Sequence, residues 1–186
     1  MKYDNRKVAG MLLFIAGVQF LWGMVIAEAL HPDYSVSENY ISDLGVGATS
    51  LIFNSSVFLF GVMAVAGAYF IQRAFSERLL STLFTLAGIG SMGVGLFPEN
   101  TIPVVHAVAA LMAFGFGGLS AIASHRLQRP PLSYASILLG VLSILALALF
   151  GSRIYLGLGV GGMERMIVYP TLLWAVGFGG HLIGYS

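Results

Sequence analysis

The chain has 186 residues, of which 58% are hydrophobic and 9% charged, with a formal net charge of +1 and no cysteine. Soluble domains carry about 25% charged residues, so a water-exposed fold is excluded, as is the basic field that a nucleic-acid partner requires. Without thiols, disulfides, thiolate nucleophiles and cysteine metal sites are excluded too.

Hydrocarbon about 30 Å thick is crossed by roughly 20 helical residues. Six apolar runs of that order lie at about 8–30, 51–73, 79–97, 102–124, 132–155 and 163–184. They predict an all-α polytopic protein, with six transmembrane helices in one bundle and a single integral-membrane domain over 1–186. Lys2, Arg6 and Lys7 precede the first run, and Ala27-Glu28-Ala29 has the form of a signal cleavage site. A signal core is only about 7–15 residues long, so the first run reads as a retained helix.

Between the first two helices lies the longest polar segment, His31 to Ser50. Ser35 and Glu38 have capping-box spacing, and Gly45 is placed to end the short surface helix that would follow. Such a helix would hold Glu38, Asn39, Ser42 and Asp43 over the bundle; Ser42 and Asp43 could equally cap the entry to the second span. In the third span, Gly88, Gly90, Gly93 and Gly95 fit close helix packing in lipid. No strand precedes them, as a phosphate loop would need.

Pro98 and Pro103 bracket the start of the fourth helix. His106 follows one turn in, on the face of Ala109, Ala110 and Ala113, and is predicted to point into the bundle. Its role is either one helix-to-helix hydrogen bond or part of a site. Arg153, near the end of the fifth span, needs a partner: Glu164, Asp43, or the phosphate or carboxylate of a headgroup. Glu164, Arg165 and Tyr169 open the sixth span after Gly161-Gly162, where a first-turn carboxylate also suits the helix dipole. Gln19 and His181, isolated on apolar helices, read as packing or helix-to-helix contacts.

Seven of the nine basic residues (Lys2, Arg6, Lys7, Arg73, Arg78, Arg126 and Arg129) fall at one set of helix ends. Six of the eight acidic residues, Glu28, Asp33, Glu38, Asp43, Glu99 and Glu164, fall at the other. The positive-inside rule then predicts a multi-pass cell-membrane protein with both termini cytoplasmic.

Tyr40-Ile41-Ser42-Asp43-Leu44-Gly45 after the first span resembles the aromatic-Ile-Ser-Asp signature of the DRAM autophagy modulators and the GPI-anchor lipid-remodelling membrane proteins. Gly95-Leu96-Phe97-Pro98, His106, Glu164-Arg165 and Pro170 resemble the pattern of a related prokaryotic family of unknown function. Where the eukaryotic proteins often carry a proline before Ile-Ser-Asp, this chain has Asn39-Tyr40. The resemblance implies a six-helix layout and a shared polar set of Ser42, Asp43, His106 and Glu164.

The leading expectation is an outer-face polar pocket that binds a lipid headgroup, with its chemical modification left open. In a catalytic version His106 would be general acid or base beside Asp43 or Glu164, with Ser42 as nucleophile. Arg153, Arg165, Tyr169, Glu38 and Asn39 would contact the ligand. A structural or accessory subunit of a larger membrane complex is the alternative. A small transporter fits less well, because no inverted repeat or mid-membrane charge is evident. The expected partners are membrane lipids, together with a membrane-protein partner or a second copy of the chain. No cofactor is expected; a metal enters only as a minor variant of the pocket, for which His31, Asp43, Glu99, His106 and Glu164 could supply ligands, although no zinc-type spacing occurs.

Overall fold

The computed structural model describes residues 4–184; Lys2 lies outside them. Six helices follow in order: α1 (Asn5–Leu30), α2 (Ser50–Phe75), α3 (Arg78–Leu96), α4 (Pro103–Ala123), α5 (Leu132–Gly151) and α6 (Gly159–Gly184). Short 3-10 turns cover Ser42–Gly45, Gly47–Thr49 and Ser124–Leu127, and no strand occurs among the described residues. Each of the six helices, with its flanking turns, is long and apolar enough to cross a membrane.

Local chemistry sets the ends of these helices. The Asp4 carboxylate accepts the Arg6 N–H at 3.0 Å and caps α1. Pro103 opens α4, where its missing donor costs nothing. Ser76, left-handed at φ 57°, stops α2. Two boundaries differ from the sequence expectation. α5 ends at Gly151 rather than near 155, because Arg153 and Leu156 take positive φ of 60° and 50°. Arg153 therefore sits in the α5–α6 connection, not within a helix. α6 begins at Gly159, through the glycines expected to break it.

Each helix packs on its neighbours in sequence, and α6 closes back onto α1 to complete a ring. Small residues let the backbones approach: a Cβ on Gly61 would lie 2.5 Å from the Gly88 carbonyl across the α2–α3 contact. Large apolar side chains such as Leu51, Val104 and Leu173 point outward instead. The interior divides into three clusters, the smallest being Ala146, Met163 and Ile167 between α5 and α6. At the end of the bundle where α1 starts and α6 finishes, the interior is built around Leu13, Phe84, Trp174 and Phe178. Near the 31–49 loop it contains Phe20, Met24, Phe53, Val57 and Leu172.

Gln19 donates to the Ser56 carbonyl at 2.9 Å, and His181 contacts the Leu127 carbonyl at 3.1 Å. Both are the helix-to-helix contacts expected of them.

Candidate functional site

The 31–49 loop, the 97–102 turn and the start of α6 meet at one end of the ring. Arg165 is the hub of their attachment. Its Nη2 donates to Glu28 Oε1 at 2.5 Å and to the Tyr34 hydroxyl at 2.7 Å. Its Nη1 donates to the carbonyls of Val36 and Gly161, both at 3.0 Å. Tyr34 in turn donates to the Tyr40 carbonyl at 2.8 Å, and burial pushes its phenol up to about 12. The guanidinium is thus committed to protein groups on α1, the loop and α6, with Tyr169 beside it. It offers no free fork to a headgroup.

The loop is not the surface helix that its spacing predicts. Ser35 Oγ accepts the Glu38 N–H at 3.4 Å, but Asn39 rather than Glu38 completes the turn by accepting the Ser35 N–H at 3.0 Å. The loop forms two short 3-10 turns, Ser42–Gly45, which Gly45 closes, and Gly47–Thr49. Asp43 folds back to accept from Asn39 Nδ2 at 3.1 Å and from the Tyr40 N–H at 2.8 Å. Asn39 and Asp43 therefore build the loop, and Glu38 is exposed on it. A 3-10 turn here directs successive residues differently: Ile41 is buried and its N–H donates to Glu164 Oε2 at 2.6 Å.

Ser42 turns toward the 97–102 segment, where its hydroxyl donates to Glu99 Oε2 at 2.6 Å. Burial, opposed by that hydroxyl and aided by the adjacent Asp43 carboxyl, raises the Glu99 pKa above its ordinary value. Glu99 is a site residue that the sequence places among the charges of this face and among the ligands of a minor metal variant, but not beside Ser42. Nothing local in the sequence announces its pairing with Ser42, 57 residues away.

His106 is buried, as its alanine-lined face predicts, and its Nδ1 meets the Phe97 carbonyl at 2.9 Å. A carbonyl can only accept, so Nδ1 carries a proton and Nε2 is the ring atom left to face the cavity. Ser42 gives its proton to Glu99 rather than to this ring, so no serine–histidine pair is assembled.

His106, Ser42 and Glu164 form the polar end of a cavity of about 70 Å³. Its walls are chiefly apolar, with Phe20, Phe53, Val57, Phe114, Val168 and Leu172 among them. That is room for several waters or a short run of methylenes. A second cavity of about 40 Å³ continues toward Trp174 and shares Phe60, Ala113 and Thr171 as walls with the first.

Asp43 does not line the cavity, and neither does any arginine. Arg153 is exposed, with neither of the carboxylate partners expected for it: the only ion pairs among the described residues are Arg6–Asp4 and Arg165–Glu28. The reason is the early end of α5, which leaves Arg153 in the exposed α5–α6 connection. Among the described residues, no three His, Asp or Glu side chains are grouped to hold a metal ion.

The chain matches the family described as a protein of unknown function (DUF998) over residues 14–181, and it belongs to that family. No curated protein and no solved structure matches it.

Proposed function

We propose that this DUF998 member is a lipid-binding membrane protein, with the 31–49 loop on the outer face and both termini cytoplasmic. The lipid's polar group meets His106, Glu164 and Ser42, and part of one hydrocarbon chain enters the chamber below. The carrying observation is the chamber itself, chiefly apolar along its length, with Ser42, His106 and Glu164 grouped at one end. The wall hydroxyls of Ser91 and Thr171 are spent on helix carbonyls. Empty apolar volume is destabilising in proportion to its size, and dry apolar cavities accept apolar guests.

The polar end selects the head chemistry. With its ring neutral, His106 accepts through Nε2, and Glu164 Oε1 has no hydrogen-bond partner among the described residues. No lysine or arginine lines the cavity, so a phosphate there would lack an ammonium or guanidinium partner. A neutral or cationic donor, a hydroxyl or an amine, suits it better. The binding arginines expected from the sequence are therefore not used here. Without a nucleophile placed against His106, binding is the function this geometry supports.

The accessory-subunit reading keeps one observation in its favour: Arg165, Asp43 and Glu164 all hold backbone groups of the loop. A cavity-filling variant separates the two. Ala110→Phe should lower the lipid retained after purification while the protein stays folded. Unchanged lipid content in a folded variant would favour the scaffold.

A further inference from the structure

At the opposite end of the ring, residues of α2 and α3 line a groove of about 500 Å³. Toward mid-membrane its walls are apolar, from Val65, Ala68 and Leu86. Toward the α2–α3 turn they become polar: Gln72, Ser81, Thr82 and Arg78. This is the order of chemistry along a phospholipid, chain first and headgroup last.

Three buried side-chain polar atoms lack a hydrogen-bond partner among the described residues, and two of them belong to this groove: Gln72 Oε1 and Ser81 Oγ. Ser81 is only 8% exposed, so water does not freely compensate it. Such atoms are costly enough that native structures rarely leave them unpaired. The nearby charges are also unbalanced. Arg78 is exposed and forms no ion pair among the described residues. Arg73 stands 6.0 Å over the Tyr69 ring on the groove wall. Glu77, between them in the turn, is the acidic residue of this segment.

We propose that this groove binds a glycerophospholipid whose headgroup carries both an anionic phosphodiester and a hydrogen-bond donor. Arg78 and the Ser81 hydroxyl meet the phosphodiester. Gln72 Oε1 can only accept, so it takes the headgroup's hydroxyl or ammonium donor. One acyl chain runs along Val65, Ala68 and Leu86. The site is separate from the chamber at the other end and does not depend on it.

Native mass spectrometry of the delipidated protein, titrated with phosphatidylglycerol, phosphatidylethanolamine or phosphatidylcholine of identical chains, tests this. Phosphatidylglycerol and phosphatidylethanolamine should bind better than phosphatidylcholine, whose headgroup has no donor. Arg78→Gln should weaken phosphatidylglycerol roughly tenfold, the size of one charge-assisted contact. Gln72→Leu should erase the preference over phosphatidylcholine. Ser81→Ala should lower binding without lowering the melting temperature of the lipid-free protein, since its hydroxyl holds no other group. Equal binding of all three lipids, or variants that bind as wild type does, would overturn the assignment. So would loss of lipid-free stability in Ser81→Ala, which would make its hydroxyl a packing group.

Discussion

The Ile41 N–H donates to Glu164 Oε2 at 2.6 Å, joining the loop after α1 to the first turns of α6 across 123 residues. One carboxyl thereby both roofs the chamber and anchors the segment over it. Replacing Glu164 separates these roles. Glu164→Ala leaves a buried N–H unpaired and should cost about 1–3 kcal/mol. Glu164→Gln keeps an acceptor oxygen and should cost much less. Thermal unfolding of the two variants in one detergent checks the ordering; equal losses would mean that the carboxyl's charge, not the hydrogen bond, is what matters.

The two arginines of this face should behave oppositely. Arg165 pairs with Glu28 in a largely buried setting, with side chains 4% and 17% exposed. Removing one partner of a buried pair typically costs about 3–5 kcal/mol, so Arg165→Gln should unfold at markedly lower temperature. Arg153→Gln touches an exposed cation and should change stability by less than about 0.5 kcal/mol. A large loss at Arg153 would contradict the placement of that residue in the exposed connection.

Loop docking depends on a glycine. The Gly161 N–H donates to the Ser37 carbonyl at 3.0 Å, and a Cβ on Gly161 would run into the carbonyls of Asn39 and Val36. Backbone cannot yield as a flexible side-chain tip does. Gly161→Ala should therefore lift the loop, increasing protease cleavage within 31–49 before global unfolding; a variant as resistant as wild type would argue against this contact.

Glu99 predicts a pH effect whose sign is fixed. Its folded pKa is raised, chiefly by burial, so the folded state holds the proton more tightly than the unfolded one. The stability it contributes is present at low pH and is lost as pH rises through the folded-state value. Melting temperatures over about pH 4–8 should fall more steeply with pH in wild type than in Glu99→Gln. Parallel curves would show that Glu99 titrates normally.

The bundle was legible in the sequence because apolar length and charge asymmetry are local properties. The end of α5 was not. Ile154, Tyr155 and Leu156 extend its apolar run, whereas the positive φ at Arg153 and Leu156 depends on how the connection is held. The inward His106 could be read from the alanines on its face. The partners of Arg165 and Ser42 could not, because Glu28 and Glu99 lie 137 and 57 residues away and nothing in either neighbourhood encodes the meeting. The polar residues of the loop, the 97–102 turn and the start of α6 gather at one end of the bundle, but most of them serve the loop.

The central claim is that a hydrocarbon chain enters the chamber beneath His106 and Glu164. Photocrosslinking tests it most directly, using a hydroxyl-headed monoacyl lipid with a diazirine in its chain and peptide mapping of the product. Inward and outward faces of the same helices serve as internal controls. Label should appear on chamber-lining Phe53, Val57, Phe114 and Leu172 and should be lost in Ala110→Phe. Label confined to Leu111 and Leu173, which are 61% and 62% exposed on the outer surface, would contradict it.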